Sequence, residues 1–276
     1  MIKDVVVSLS EEVGRDVAAK YALSVAEAFG AHLAGIAFAY EPVIPGTVMG
    51  GIPASVIEAS RAESERAAKD AIARFDEGAR RSGVSVESRM LDATLVGAAD
   101  LFGRAARRFD LSVVKQAEPN RLAGEDLIIE AALFQSGRPV IVVPYIQKTG
   151  LSLDRVLVGW DGSRTAARAI GDAMPFLTRA KSVDLVIVTT DRGPSDEITG
   201  GAMGQHLARH DIRVDVKRIV ATDTAVADTI LSYAADVAAD FIVMGGYGHS
   251  RLREFILGGA TRGILQSMTV PVMMSH

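Results

Sequence analysis

The stretch Arg155–Ser163, RVLVGWDGS, reads as a short strand that stops abruptly and hands over to a helix. RVLVGW is an apolar, β-branched run of strand length. Asp161 stands at its carboxyl end, Gly162 and Ser163 open the next element, and Ser163 is placed to cap it. The helix that follows shows itself by one apolar stripe, Ala166, Ile170, Ala173, Met174 and Leu177. Strand, sharp turn and capped helix form one unit of an α/β fold, so the remaining question is how often that unit recurs.

It recurs throughout the chain. Downstream come VDLVIVTT, a shorter helix near Asp196–His210, IRVDVKRIV, the helix TAVADTILSYAADVAA, DFIVMG, a helix from about Gly259, and TVPVMMS. Upstream the same order is already complete once. DVVVSLS at Asp4–Ser10 is followed by a stripe of Ala18, Tyr21, Ala22, Val25 and Phe29, then HLAGIAFAY, a long charged helix ending at Gly83, and VSVESRML. A helix at Leu95–Arg108, DLSVVK, a helix near Ile128–Phe134 and PVIVVPY close that copy. Asp110 and Asp240 open matching fourth strands, and Pro139 and Pro271 precede matching fifth ones. A period this long means duplicated domains, here residues 1–147 and 151–276, joined by YIQKTGLSLD.

Strands alternating with helices require right-handed crossovers and parallel sheets covered on both faces. The expected architecture is therefore α/β, two tandem doubly wound domains, each a five-stranded parallel sheet in the order 3-2-1-4-5 with helices on both faces. Ligands of such sheets bind beyond the carboxyl ends of the strands, where the order reverses. Strands one and four flank that point, which places Asp161 and Gly245 at one crevice.

Composition narrows the function classes. Thirty Lys+Arg against 34 Asp+Glu give a net charge of −4, with no basic field for nucleic acid. The absence of cysteine excludes disulfides, thiolate metal sites and cysteine nucleophiles and suits a cytoplasmic setting. No apolar run approaches the roughly 20 residues that span a bilayer, and the first residues, MIKDVVVSLSEEV, lack the pattern of a secretory signal. A cytoplasmic protein without membrane or nucleic-acid partners is the expectation.

The crevice carries the motif that points to chemistry. GGYGHSRLREFILGGATRG, Gly245–Gly263, places Gly245, Gly248 and Gly258 in a G-x2-G-x9-G spacing, with Gly259 next. Glycine lets backbone approach a phosphate closely, and a helix starting at Gly259, Ala260 and Thr261 would offer unpaired N–H groups to an anion. Thr261 could add a hydroxyl. An aspartate opposite can accept from a ribose or adenine group, or hold a cation near phosphates. The same glycines also serve as turn and cap residues in many corners, and Asp161 alone could cap a helix.

With these residues in view, the chain resembles the universal stress protein family in its tandem form, through VLVGWDGS, VMGGYGHSRLREFILGGATRGIL and TVPVMM. The resemblance implies an ATP-binding protein of stress responses with one site in the second domain. The reading admits Mg2+ with the nucleotide, with Asp161 placed to hold a cation near the phosphates. Asp161 and the end of the second strand, about Val188, would flank the adenosine. Trp160, Met244 and Gly245 belong to the same candidate nucleotide site, Trp160 as core or crevice wall. Gly248, Gly258 and the residues after it, Gly259, Ala260 and Thr261, would hold the phosphates, and His249 lies in the loop as a residue that could approach them or simply face solvent. Gly259 departs from the family's Ser or Thr. The resemblance also implies an intramolecular pseudo-dimer paired near PVIVVPY and PVMMSH, and an exposed last strand would template a further homodimer.

The first copy departs further. Ser10 replaces Asp161, Glu11 and Glu12 replace Gly162 and Ser163, and KQAEPNRLAGED stands in place of the glycine loop. That half reads as lacking a nucleotide site. Two rival functions remain open: a slow ATP hydrolase or phosphotransferase using a metal at Asp161 and His249 as the nearby group, and a ligand-free interaction module. No catalytic residue and no metal site is assigned. His206 and His210, spaced i, i+4, lack an evident third ligand, and Ser250, the charged face of Glu63–Arg81 and the loop Glu41–Ser55 read as surface.

Overall fold

The computed structural model describes residues 1–12, 14, 16–41, 53–119, 124–190, 200–221, 225–246 and 259–276. Its elements alternate as the sequence requires. The first half contains β1 (Asp4–Ser8), α1 (Val17–Phe29), β2 (His32–Tyr40), α2 (Ala54–Ser82), β3 (Val86–Ala93), α3 (Leu95–Ala106), β4 (Leu111–Lys115), α4 (Glu125–Gln135) and β5 (Val140–Val143). The second contains β6 (Arg155–Gly159), α5 (Arg164–Leu177), β7 (Ser182–Thr190), α6 (Gly201–Ala208), β8 (Val214–Ala221), α7 (Val226–Asp236), β9 (Phe241–Gly245), α8 (Gly259–Ser267) and β10 (Val272–Ser275).

All strands lie in one ten-stranded sheet, ordered β3-β2-β1-β4-β5-β10-β9-β6-β7-β8. Each half therefore has the 3-2-1-4-5 order, and every pairing within a half is parallel. The halves join where β5 and β10 pair antiparallel, Val142 opposite Val272 and Val140 opposite Met274. This arrangement corrects one expectation. The last strands are consumed by each other, so the sheet edges are β3 and β8, and neither β5 nor β10 is left exposed to template another copy.

Helices cover both faces, and the apolar stripes explain why. Ala18, Tyr21, Ala22, Val25 and Phe29 of α1 and Ala166, Ile170, Ala173 and Leu177 of α5 are buried. All but Ala166 belong to one core that runs under both halves, in which the rings of Phe29 and Phe176 meet edge to face at 4.9 Å. A second core on the opposite face gathers Phe102, Ile129, Leu133, Ile242, Ile264 and Met274. The joining segment is packed, not a free tether. The Leu151 N–H donates to Oγ of Ser24 at 2.8 Å, and Leu151 and Leu153 lie against the first core.

Among the described residues no helix is long and apolar enough to cross a membrane.

Candidate functional site

The end of β6 is built by local bonds. Gly162 sits at φ +77°, a conformation that favours glycine. Asp161 accepts from the Ser163 N–H at 2.9 Å, and Ser163 caps α5 by accepting from the Ala166 N–H at 3.1 Å. Asp161 remains exposed, and Trp160, whose N–H donates to the Val186 carbonyl at 2.9 Å, lies partly buried against the core. In the first half Ser10 performs the same turn, accepting from the Glu12 N–H at 3.4 Å. A hydroxyl closes this turn in one half, so the turn itself does not require the carboxylate of Asp161.

β9 lies beside β6, with Val158 opposite Val243, and its other neighbour is β10. The strand order reverses between β6 and β9, the expected switch point. The chain leaves β9 at the carboxyl edge and α8 must return to the start of β10, which is parallel to β9. The amino terminus of α8 therefore lies on the carboxyl side of the sheet, with Asp161 and the end of β7.

The sequence-predicted residues fall into three groups. Asp161, Gly259 and Ala260 present themselves on this side, Gly259 exposed and Ala260 partly so. A Cβ built on Gly259 would meet no atom within 4 Å, so a side chain would be accepted there without conflict. Val188, near the end of β7, is half-buried. Met244 and Thr261 are buried, 7% and 3% exposed, and Met244 belongs to the core of the second face. Gly245 has a packing reason of its own. A Cβ on it would stand 2.6 Å from the Ala166 nitrogen and 2.6 Å from the Thr165 carbonyl carbon, atoms that cannot step aside. Gly248, His249 and Gly258 lie outside the described residues.

The equivalent crevice of the first half is a cavity of about 110 Å³, lined among others by Ser10, Glu11, Glu12, Tyr40, Lys115 and Glu125. Lys115, in the place of Gly245, buries its ammonium between Glu118 at 3.0 Å and Glu125 at 2.9 Å. Glu125 and Asp126 already supply the negative charge favoured by the amino terminus of α4. Glu11 keeps its Oε1 buried with no hydrogen-bond partner among the described residues, and burial, helped by Glu12, pushes its carboxyl up to about 7. The sequence marked these residues as departures from the glycine loop but gave no sign that Lys115 would turn inward. His206 and His210 stand with ring centroids 4.9 Å apart, and no group of three or more His, Asp or Glu able to hold a metal occurs among the described residues.

Comparison with known proteins follows this division of the chain. Residues 152–276 match the family model of the universal stress protein family. The second half therefore carries a universal stress protein domain. A curated universal stress protein of Synechocystis is 27% identical over 142 residues, 49% of this chain and 46% of that one. The chain thus spans about half the length of that relative. A crystal structure of a universal stress protein from Archaeoglobus fulgidus superposes over 99% of this chain and 95% of its own, with a TM-score of 0.76 at 18% identity. A functionally unknown protein from Pseudomonas aeruginosa superposes over 99% and 92%, with a TM-score of 0.65 at 14% identity. At these identities the likeness is one of fold, and it extends over both halves.

Proposed function

We propose that the second half binds one adenine nucleotide, ATP, beyond the carboxyl ends of β6, β7 and β9, and that the chain is a nucleotide-responsive regulatory protein of the stress response. The observation that carries this reading is the first turn of α8 at the switch point, beginning at an exposed glycine with open space around it. Unpaired N–H groups of that turn, Gly259 and Ala260 among them, would bind phosphate oxygens, and the helix dipole adds to the attraction. Asp161 would accept from the ribose or adenine, or hold a cation accompanying the phosphates. That its turn survives in the first half with Ser10 supports a purpose for the charge beyond folding.

The first half takes no nucleotide in this reading. Lys115, Glu118 and Glu125 fill its crevice with an internal ion cluster, and three carboxylates near the helix entrance repel a triphosphate. The two halves then act as an intramolecular pseudo-dimer with one working site, supported by the β5–β10 pairing.

Native mass spectrometry and calorimetry of the intact chain with ATP test this. One nucleotide per chain, lost in Asp161→Ala, is the expected result. No adduct at millimolar ATP would overturn the nucleotide reading, and two per chain would overturn the division of labour. ADP released above the buffer rate would make the chain a hydrolase.

A further inference from the structure

Because β5 and β10 run antiparallel, the carboxyl edge of each half lies beside the amino edge of the other. Gln116 and Gly246 occupy matching positions there. Each follows the fourth strand of its half, and each donates its N–H at 2.8 Å to the fifth strand, Gln116 to Val143 and Gly246 to Ser275. Each also faces the last turn of the other half's terminal helix. Gly246 approaches Leu133 of α4 so closely that a Cβ would lie 2.9 Å from its Cδ2.

Gln116 uses its side chain instead. It is 1% exposed, and its Nε2 donates to the carbonyl oxygen of Leu265 at 2.8 Å and, less closely, to that of Gln266 at 3.4 Å. Both carbonyls belong to the last turn of α8, where no intrahelical partner is available. Its Oε1 accepts from the Tyr145 N–H at 3.3 Å, so the amide is fully committed. A donor at the carboxyl end of a helix also meets the negative end of its dipole. Along its flank α8 is held by Gly263, whose missing side chain leaves room for the Ala227 methyl. With nine residues α8 is short and rigid, so a clamp at its last turn sets the height of its first.

We propose that Gln116, a residue of the half without a nucleotide site, is a positioning residue for the phosphate end of the site in the other half. It acts through α8, fixing the axial position at which Gly259 and Ala260 present their N–H groups. This rests on the nucleotide reading above for its functional consequence, while its structural consequence can be read without any ligand.

The experiment compares the wild type with Gln116→Leu, which keeps the volume and removes the donors, and with Gln116→Glu, which keeps the acceptor for Tyr145 and replaces the donor. Hydrogen exchange of the ligand-free proteins reports the N–H groups paired within α8, and calorimetry gives ATP and adenosine affinities. Both variants should exchange faster at Gly263–Met268 and bind ATP about tenfold more weakly, with adenosine affinity unchanged. A merely structural role would not alter the ratio of ATP to adenosine affinity. Unchanged exchange in the variants overturns the proposal, as does an unchanged affinity ratio in a protein that binds ATP. If the wild type binds no nucleotide, the functional reading fails instead, and with it the functional part of this proposal. Should Gln116→Leu not fold, Gln116→Glu decides by the same two readouts.

Discussion

A Cβ on Gly245 would stand 2.7 Å from Oγ1 of Thr165, so the end of β9 and the first turn of α5 touch through a glycine. The nearest backbone atoms of α5 are closer still, at 2.6 Å. Gly245→Ala must therefore push the helix off the strand, at a cost of about 1–3 kcal/mol typical of overpacking. Gly259→Ala meets open space, and stability should change by less than about 1 kcal/mol. Urea denaturation of both variants without ligand checks the contrast. Equal losses would mean that the two glycines are alike, and that the packing account of Gly245 is wrong.

The same two residues show how far the sequence could be read. Duplication, strand order and apolar stripes are periodic features, and periodicity survives in a linear string. The stripe of α1 from Ala18 to Phe29 is buried as its spacing requires. The G-x2-G-x9-G spacing is legible too, but it cannot distinguish a glycine needed by a neighbouring helix from one left open for a ligand. Gly245 is of the first kind, while Gly259, next after the last glycine of that spacing, has open space around it, a difference that depends on what β9 and α8 pack against. Lys115 and Gln116 were visible only as departures from the glycine pattern. Their partners lie on other elements, and for Gln116 on the other half of the chain.

Asp161 can be separated into its turn and its charge. Asp161→Ser should keep the bond to the Ser163 N–H, as Ser10 does with Glu12, and leave unfolding within about 0.5 kcal/mol of the wild type. Asp161→Ala loses that bond and should cost about 1 kcal/mol. Both should lose ATP affinity alike, since both lack the carboxylate. Calorimetry showing full binding by Asp161→Ser would remove the charge from the site.

Lys115 is the single cation between Glu118 and Glu125 among the described contacts of that cluster, and its side chain is 6% exposed. Lys115→Met removes the buried ammonium that Glu118 and Glu125 share, and about 3 kcal/mol of stability should be lost. Adding Glu118→Gln and Glu125→Gln to Lys115→Met should restore most of it, because both members of each ion pair are then removed together. Denaturation midpoints of the single and triple variants measure this, and a triple variant no more stable than the single would show that packing by the lysine stem dominates.

Glu11 gives the fold a dependence on pH near neutrality. Burial raises its folded-state pKa from the ordinary 4.5 to about 7, with Glu12 adding repulsion. The folded protein therefore holds this proton more tightly than the unfolded chain does, and ∂ΔG/∂pH is negative between the two values. Its stabilising contribution is complete below pH 4.5 and is lost as pH rises through about 7. Glu11→Gln fixes the uncharged form, so the variant should gain on the wild type as pH rises from 5 to 8. Paired urea titrations at those two pH values make the test, and parallel curves for both proteins would show that Glu11 ionises in the fold as it does in water.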